Sequence, residues 1–518
     1  MNAIELKLFA SRVSAICDEM GLVLRRAAFS PNIKDRLDFS CALFGPQGEL
    51  FAQAAHIPVH LGSMAYAMGD LVGQQHWQPG DMLVVNDPYL GGTHLPDVTV
   101  IAPVFAGASL AGFVANRAHH ANIGCTTPGS MPVSKTLEEE GEIIPPSWLL
   151  RGGKLQVGLP NLPGLQGEAL SGDFAAQAGA NQVGCERLQA LIAVMGLQEY
   201  RDGMTQLNDY AERLAKRTLA SLTPGRYSFT DYLDDDGQGN SRIRLNLHLQ
   251  INSAGVQLDL RDCAPMVPGN LNCPESVAAA AAYYCFRCLM PAEAPACAGL
   301  FRHIELLTTL GTVVNAERPA AVAAGNVETS TRLVDLIFGA LAQAMPERIP
   351  AASQGTMNNI AMGSAATATG KRWDYYETLA GGLGAGPRWP GLHAVHSHMT
   401  NTLNTPIESL EMHYPLRIRR YSRRRGSGGA GQHAGGDGVV REYEFLAATD
   451  LTLLTERREL APWGLQGGQD GVSGSNRLNG DALTGKFNRL VQAGDRLVVE
   501  TPGGGGWGRA NADSDAAG

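Results

Sequence analysis

Apolar positions near the amino terminus recur at helical spacing. Ile4, Leu8, Ile16, Met20 and Val23 fall near one face, and Asn2 and Glu5 stand where a reciprocal N-terminal cap needs them, so residues 2–28 read as a helix. The pattern then shortens to strand length. Phe39 to Phe44 and Leu50 to Gln53 flank the turn Gly45-Pro-Gln-Gly48, which predicts a hairpin. Met82 to Val85 reads as a short buried strand closed by Asn86-Asp-Pro88, and Val98 to Phe105 and Leu110 to Asn116 read as two strands joined through Ala106-Gly-Ala108. Residues 174–221 are mostly helical with a break near Gly196. A meander follows at 226–233, 241–251 and 256–260, turning first at Asp234-Asp-Asp-Gly-Gln-Gly-Asn240. Helices are predicted at 275–290 and 332–345. The last hundred residues return to short strands and glycine-rich turns ending in Glu500-Thr-Pro-Gly-Gly-Gly-Gly-Trp-Gly508. Interleaved helices and hairpins, without regular β-α-β alternation, predict an α+β chain of several domains built from mixed helices and antiparallel sheets. The division expected is 1–265, 266–508 and a small polar tail, 509–518, that reads as disordered.

Composition narrows the function classes. A chain of 518 residues is long enough for about two to four domains. A net charge of -9 leaves no basic excess to neutralise phosphates, which argues against nucleic acid and anionic membrane as partners. The run Arg417 to Arg425 is the local exception and reads as a solvated strand edge. Nine cysteines, an odd number scattered along the chain, form no disulfide framework. The first residues lack the plan of a signal peptide, and no apolar run approaches the roughly 20 residues that span a bilayer. The expected location is the cytoplasm.

The chemistry concentrates in Asn86-Asp-Pro-Tyr-Leu-Gly-Gly-Thr-His94-Leu-Pro-Asp97 and Asn116-Arg-Ala-His119-His120. His94 and Asp97, three apart in a Gly/Pro-rich loop, form a nitrogen and oxygen pair suited to zinc or manganese. If the intervening hairpin turns near Gly107, paired residue numbers sum to about 214 by antiparallel pairing. Asp97 then lies opposite Ala118 or a neighbour, and His119 arrives beside the loop. Successive strand residues face opposite ways, so one of His119 and His120 binds the metal and the other supports it or acts as acid or base. Three protein ligands leave a position for water, as hydrolysis needs. Taken singly, each residue also fits a polar loop of hydrogen-bonded side chains.

Other signals are weaker. Cys285-Phe-Arg-Cys288 has the spacing of half a metal knuckle but lies in an apolar helix, so two core thiols are expected. Gly426-Ser-Gly-Gly-Ala-Gly431 fits a dinucleotide-loop pattern, yet it follows arginines and reads as a turn. Gly370-Lys371 lacks the context of a phosphate-binding loop. No ATP-binding motif and no Gly-x-Ser-x-Gly elbow is visible. Three polar, glycine-bearing stretches remain: Gly325 to Arg332, Ser353 to Asn359 and His396 to Thr402. Such loops bind polar ligands, line subunit contacts, or merely connect elements at the surface.

The segments Asn86–Asp97, Asn116–His120, Gly325–Arg332, Ser353–Asn359 and Met399–Pro406, together with Asn32-Ile-Lys-Asp-Arg-Leu-Asp38-Phe-Ser-Cys, Ile57-Pro-Val-His-Leu-Gly-Ser-Met64, Pro128-Gly-Ser-Met-Pro132, Gly141-Glu-Ile-Ile-Pro-Pro146 and the closing glycines, resemble the hydantoinase B/oxoprolinase family from about residue 3 to 508. The resemblance implies a divalent metal on His94, Asp97 and His119, with Asp38 as a further ligand or a supporting carboxylate. It also implies a separate A-type partner subunit carrying ATP and Mg, in a hetero-oligomer, which fits the missing phosphate motif. The implied reaction is ATP-dependent opening of an N-methylhydantoin, a lactam or 5-oxoproline. The alternative is a subunit of an acetone- or acetophenone-type carboxylase. His120 or Glu140 is the expected proton shuttle. This sequence departs from the family at Ala121-Asn122-Ile-Gly-Cys125, where an aspartate usually stands at the second position.

Overall fold

The computed structural model describes residues 1–510 apart from 55, 157, 161, 163, 166–168 and 365–371. Most of the expected tail, and Gly370-Lys371, lie outside the described residues. The helix at the amino terminus runs Ala3–Ala27, and the predicted cap is present: Asn2 accepts from the amides of Ile4 and Glu5, and Glu5 accepts from the Asn2 amide.

A seven-stranded antiparallel sheet follows, in the order Leu50–Gln53, Phe39–Phe44, Ser109–His119, Asp97–Ala106, Met82–Val85, Ser147–Arg151, Lys154–Leu155. Alternation divides its side chains between two cores. Cys41, Leu43, Val98 and Val100 pack beneath the helices Ala3–Ala27 and Gly172–Met195. Ala42, Phe44, Leu83, Val85 and Ile101 pack against Leu61, Met64 and Met68 of the helix Pro58–Gly73. That helix was not anticipated, because its sequence is apolar on most sides. It is buried from two directions, between the sheet and the helix Glu275–Leu289, where a Cβ on Gly62 would come within 2.6 Å of Ala280.

The helical stretch breaks at Gly196 as expected, into Gly172–Met195 and Leu197–Ala220. The meander forms a second sheet in the order Ile304–Leu307, Gly255–Asp259, Ser241–Asn252, Gly225–Asp235. It shares a core with the helices Leu197–Ala220, Glu275–Leu289 and Ser330–Ala344. Cys285 in this core is buried, but Cys288 is exposed, which corrects the expectation of two core thiols.

Two further sheets, of four and five strands, enclose a fourth core through Ile360, Leu451, Tyr443, Phe445 and Leu497. The arginine-rich run is the edge strand Leu416–Arg424, with Arg419 and Arg423 paired to Glu444 and Asp437. Beside these sheets the glycine-rich segments lie backbone to backbone. Gly504 donates to Gly436, Gly505 to Ala352 and Gly506 to Gln469. A Cβ on Gly504 would meet the Leu383 carbonyl at 2.1 Å, and one on Gly435 the Gly504 carbonyl at 1.9 Å, so only glycine permits this approach. The Gly426–Gly431 stretch belongs to this packed bundle. Among the described residues no helix is long and apolar enough to cross a membrane.

Candidate functional site

The hairpin Asp97–Ala106 and Ser109–His119 carries the centre. Its pairing places Asp97 directly opposite His119, two units beyond the expected sum: one because the turn centres between Gly107 and Ala108, and one because the register shifts at Val104/Phe105. His94 closes back through the loop, with the Asp97 amide donating to the His94 carbonyl at 3.0 Å. His94 Nε2 then lies 3.1 Å from Asp97 Oδ1, and His119 Nδ1 lies 3.2 Å from the same oxygen.

All three side chains are buried, and their ligating atoms lie within 4.8 Å of one another. Ligands bound tetrahedrally at zinc distances stand roughly 3.4 Å apart, so this spacing suits a shared ion. A stronger sign is that His94 Nε2 and His119 Nε2 are buried without a hydrogen-bond partner. His94 Nδ1 faces the Ala323 carbonyl at 3.2 Å, which fixes the proton on Nδ1 and leaves the Nε2 lone pair for an ion. The donor set therefore fits a divalent metal.

The electrostatics agree. Burial would raise the Asp97 carboxyl, but His94 and His60 beside it hold it well below the usual carboxylate range. Burial would lower His94, yet Asp97 leaves it raised, so a metal ion at this nitrogen competes with a proton. Burial pushes His119 down; its ring stacks on Tyr376 with centroids 4.8 Å apart.

Asp38, at the start of the adjacent strand, borders the same cavity 3.6 Å from Arg36 and 3.9 Å from His60. The cavity measures about 20 Å³, room for an ion or a water molecule but not for a substrate ring. Val59, Val327 and Met357 form its apolar wall, and Tyr376, Thr378 and Thr400 line it too.

The two expected proton shuttles lie elsewhere. His120 points to the opposite face, where it packs on Phe174 and its Nε2 meets Gln177 Oε1 at 2.9 Å. Gln177 in turn donates to Val98 and Asn116, so His120 belongs to the polar seam between sheet and helix. Glu140 is buried, and one oxygen accepts from Ser134 and from the amides of Val322 and Ala323. It holds the segment whose carbonyl holds His94. Burial pushes its carboxyl up to about 7. Asn122 accepts from the Gly124 amide and shapes a turn.

Four contributors escaped the sequence reading. His60 approaches Asp97 Oδ2 at 3.2 Å, and Thr93 and Asn326 donate to that oxygen at 2.6 and 3.2 Å. Tyr376 supports His119. The signal was present for Asn326: all three polar glycine-bearing stretches reach this cavity, through Asn326 and Val327, Met357, and Thr400. The first is not a loop but a π-helical turn, Gly325–Thr329, leading into the helix Ser330–Ala344. π-turns commonly mark functional sites.

The same turn carries Glu328, whose Oε1 accepts from Asn359 at 2.6 Å, while Asn359 accepts from the Tyr376 hydroxyl at 2.7 Å. Burial pushes the Glu328 carboxyl up to about 8. The folded protein therefore keeps a proton on it that the unfolded chain releases near pH 4.5. This contribution to stability is full below that pH and is lost as pH rises through 8, at about 1.4 kcal/mol per unit. The stability difference between wild type and Glu328→Gln should thus fall steadily from pH 5 to 8, as read by denaturant unfolding. A flat difference would show that Glu328 is ionised in the folded state.

The chain is similar to known proteins along nearly its whole length. The family described as Hydantoinase B/oxoprolinase matches residues 2–510. An uncharacterized protein of Methanocaldococcus jannaschii is 39% identical over 98% of this chain and 91% of its own. 5-oxoprolinase 1 of Arabidopsis thaliana is also 39% identical over 98% of this chain, but the chain spans only 42% of that protein. The crystal structure of ATP-dependent caprolactamase from Pseudomonas jessenii matches with a TM-score of 0.89 and 27% identity, over 98% of this chain and 91% of that one.

Proposed function

The chain belongs to the hydantoinase B/oxoprolinase family, and on that premise we propose that it is the metal-carrying subunit of an ATP-dependent cyclic amide hydrolase. The observation that carries this reading is the buried His94, Asp97 and His119 cluster with two ring nitrogens left free for an ion. The substrate is an N-methylhydantoin, a lactam or 5-oxoproline. The caprolactamase likeness supports a lactam-type ring, and the oxoprolinase likeness a five-membered one.

An unstrained ring amide is a poor electrophile. A separate A-type subunit binds ATP and Mg and phosphorylates the amide oxygen, turning it into a leaving group. In the longer 5-oxoprolinase relative, of which this chain spans 42%, the remaining length has room for that module. His94, Asp97 and His119, with Asp38 bordering the same cavity, would hold a divalent ion, zinc or manganese, which when bound would supply Lewis acidity and lower the pKa of water from about 15.7 towards 7.

The chain's own residues prepare that site. Thr93 and Asn326 hold one oxygen of Asp97 so that the other faces the histidines. Glu140 anchors Ala323, and Ala323 anchors His94. Val59, Val327 and Met357 keep bulk water out. A cavity of about 20 Å³ admits an ion or a water molecule but no ring, so the ring either lies outside it or opens it.

The test is reconstitution with the A-type subunit, ATP and candidate rings, followed by product analysis in labelled bicarbonate. Ring opening that requires both chains and ATP is the expected result. Label in a stable product would instead establish the ketone carboxylase reading, and activity of the partner alone would reduce this chain to a scaffold.

A further inference from the structure

His60 reaches the centre from the first turn of the helix Pro58–Gly73, an element that supplies none of the expected ligands. Its side chain is 2% exposed, and its Nε2 lies 3.2 Å from Asp97 Oδ2 and 3.9 Å from Asp38 Oδ1. On the other side of the ring, Nδ1 lies 3.4 Å from Ser40 Oγ.

The proton can be placed from the neighbours. Ser40 Oγ already accepts from the Ile57 amide at 3.1 Å, so its own hydroxyl proton is free to donate to His60 Nδ1. A ring that accepts at Nδ1 carries its proton on Nε2, facing the two carboxylates. The two oxygens of Asp97 are then divided. Oδ1 faces His94 and His119, while Oδ2 takes Thr93, Asn326 and His60. Three donors on one oxygen leave no lone pair there for an ion.

We propose that His60 is the positioning residue of the ion site. It fixes Asp97 so that only Oδ1 is presented. His60 is not itself a ligand. Groups that orient metal-binding side chains in this way typically set affinity by 10–100-fold. The inference rests on the metal reading above.

The experiment is a cobalt(II) titration of the full chain, read by visible absorption and calorimetry, on wild type, His60→Ala, His60→Gln and Ser40→Ala. The expected result is one cobalt per wild-type chain, a roughly 10–100-fold loss of affinity in His60→Ala, and recovery of most of it in His60→Gln, whose amide can donate to Asp97. Ser40→Ala leaves the ring in place and should weaken binding less. It decides the matter if His60→Ala does not fold. Unchanged affinity in both His60→Ala and Ser40→Ala would overturn the proposal. So would two cobalt ions per wild-type chain with one lost in His60→Ala, because His60 would then be a ligand. A wild-type chain that takes up no cobalt would overturn the metal function itself, and this proposal with it.

Discussion

Asp97→Asn should abolish divalent metal binding and lower ring-opening activity by roughly 1000-fold or more, whereas His120→Gln should cost stability with little change in turnover. The first effect follows from how many groups converge on one carboxylate. His94 and His119 address Oδ1, and Thr93, Asn326 and His60 address Oδ2. An asparagine amide offers one acceptor and one donor group. Whichever way it turns, its NH2 meets either the donors of Thr93 and Asn326 or the position an ion would take. A metal site contributes several kcal/mol to a hydrolytic transition state, and each 1.36 kcal/mol is tenfold in rate. His120 faces Gln177 and Phe174 instead, so its replacement disturbs the seam between sheet and helix. Metal content by atomic absorption and turnover with the A-type subunit check both arms. Full metal occupancy in Asp97→Asn would refute the assignment, and a loss of turnover in a stable, metal-loaded His120→Gln would return His120 to the reaction.

The contrast between these neighbours shows what was legible in the sequence. The approach of His119 to the His94 loop is a local consequence of one antiparallel hairpin, so spacing alone predicts it, to within the turn centre and the shift at Val104/Phe105. The division of work between His119 and His120 follows from strand alternation. His60, Asn326, Met357 and Thr400 are different. They come from distant stretches and meet only in the folded chain, so no window of the sequence carries their juxtaposition. One was hidden and one was visible only as a polar stretch, each for a physical reason. The helix Pro58–Gly73 is buried from two sides and lacks an amphipathic stripe, and the segment from Gly325 is polar because its side chains bond buried groups elsewhere, Asn326 to Asp97, Thr329 to the Leu271 carbonyl and Arg332 to Glu456. Polar residues without periodicity read as surface, and here they are core.

That buried polarity leads to the second large effect. Lys486→Met should destabilise the fold by about 3–5 kcal/mol, the usual cost of leaving one partner of a buried pair uncompensated. Lys486 Nζ lies 2.6 Å from Glu456 Oε1, and both side chains are fully buried. Glu456 also pairs with Arg332 at 3.1 Å and accepts from the Asp234 amide. Arg457 bridges Asp335 and Asp231 at 2.9 and 3.1 Å. The network therefore ties the strand Gly225–Asp235, the helix Ser330–Ala344 and the strand Lys486–Val491 to one point. Burial would lower Lys486, but Glu456 leaves it raised; burial pushes the Glu456 carboxyl up in turn, and Lys486 and Arg332 oppose that. Removing the cation strands part of the Glu456 charge, which Arg332 alone then balances. Neutralising the acid as well, in Lys486→Met with Glu456→Gln, should recover a large share of the loss, and the cycle of single and double variants measures the coupling. Equilibrium unfolding in denaturant reads all four proteins. Additive losses would mean the pair is not coupled. The consequence reaches the metal centre, because Glu328 in the adjoining π-turn carries Asn359, and Asn359 carries the tyrosine on which His119 stacks. Lys486→Met should accordingly weaken metal binding beyond what partial unfolding accounts for, when both are measured at the same temperature on the folded fraction.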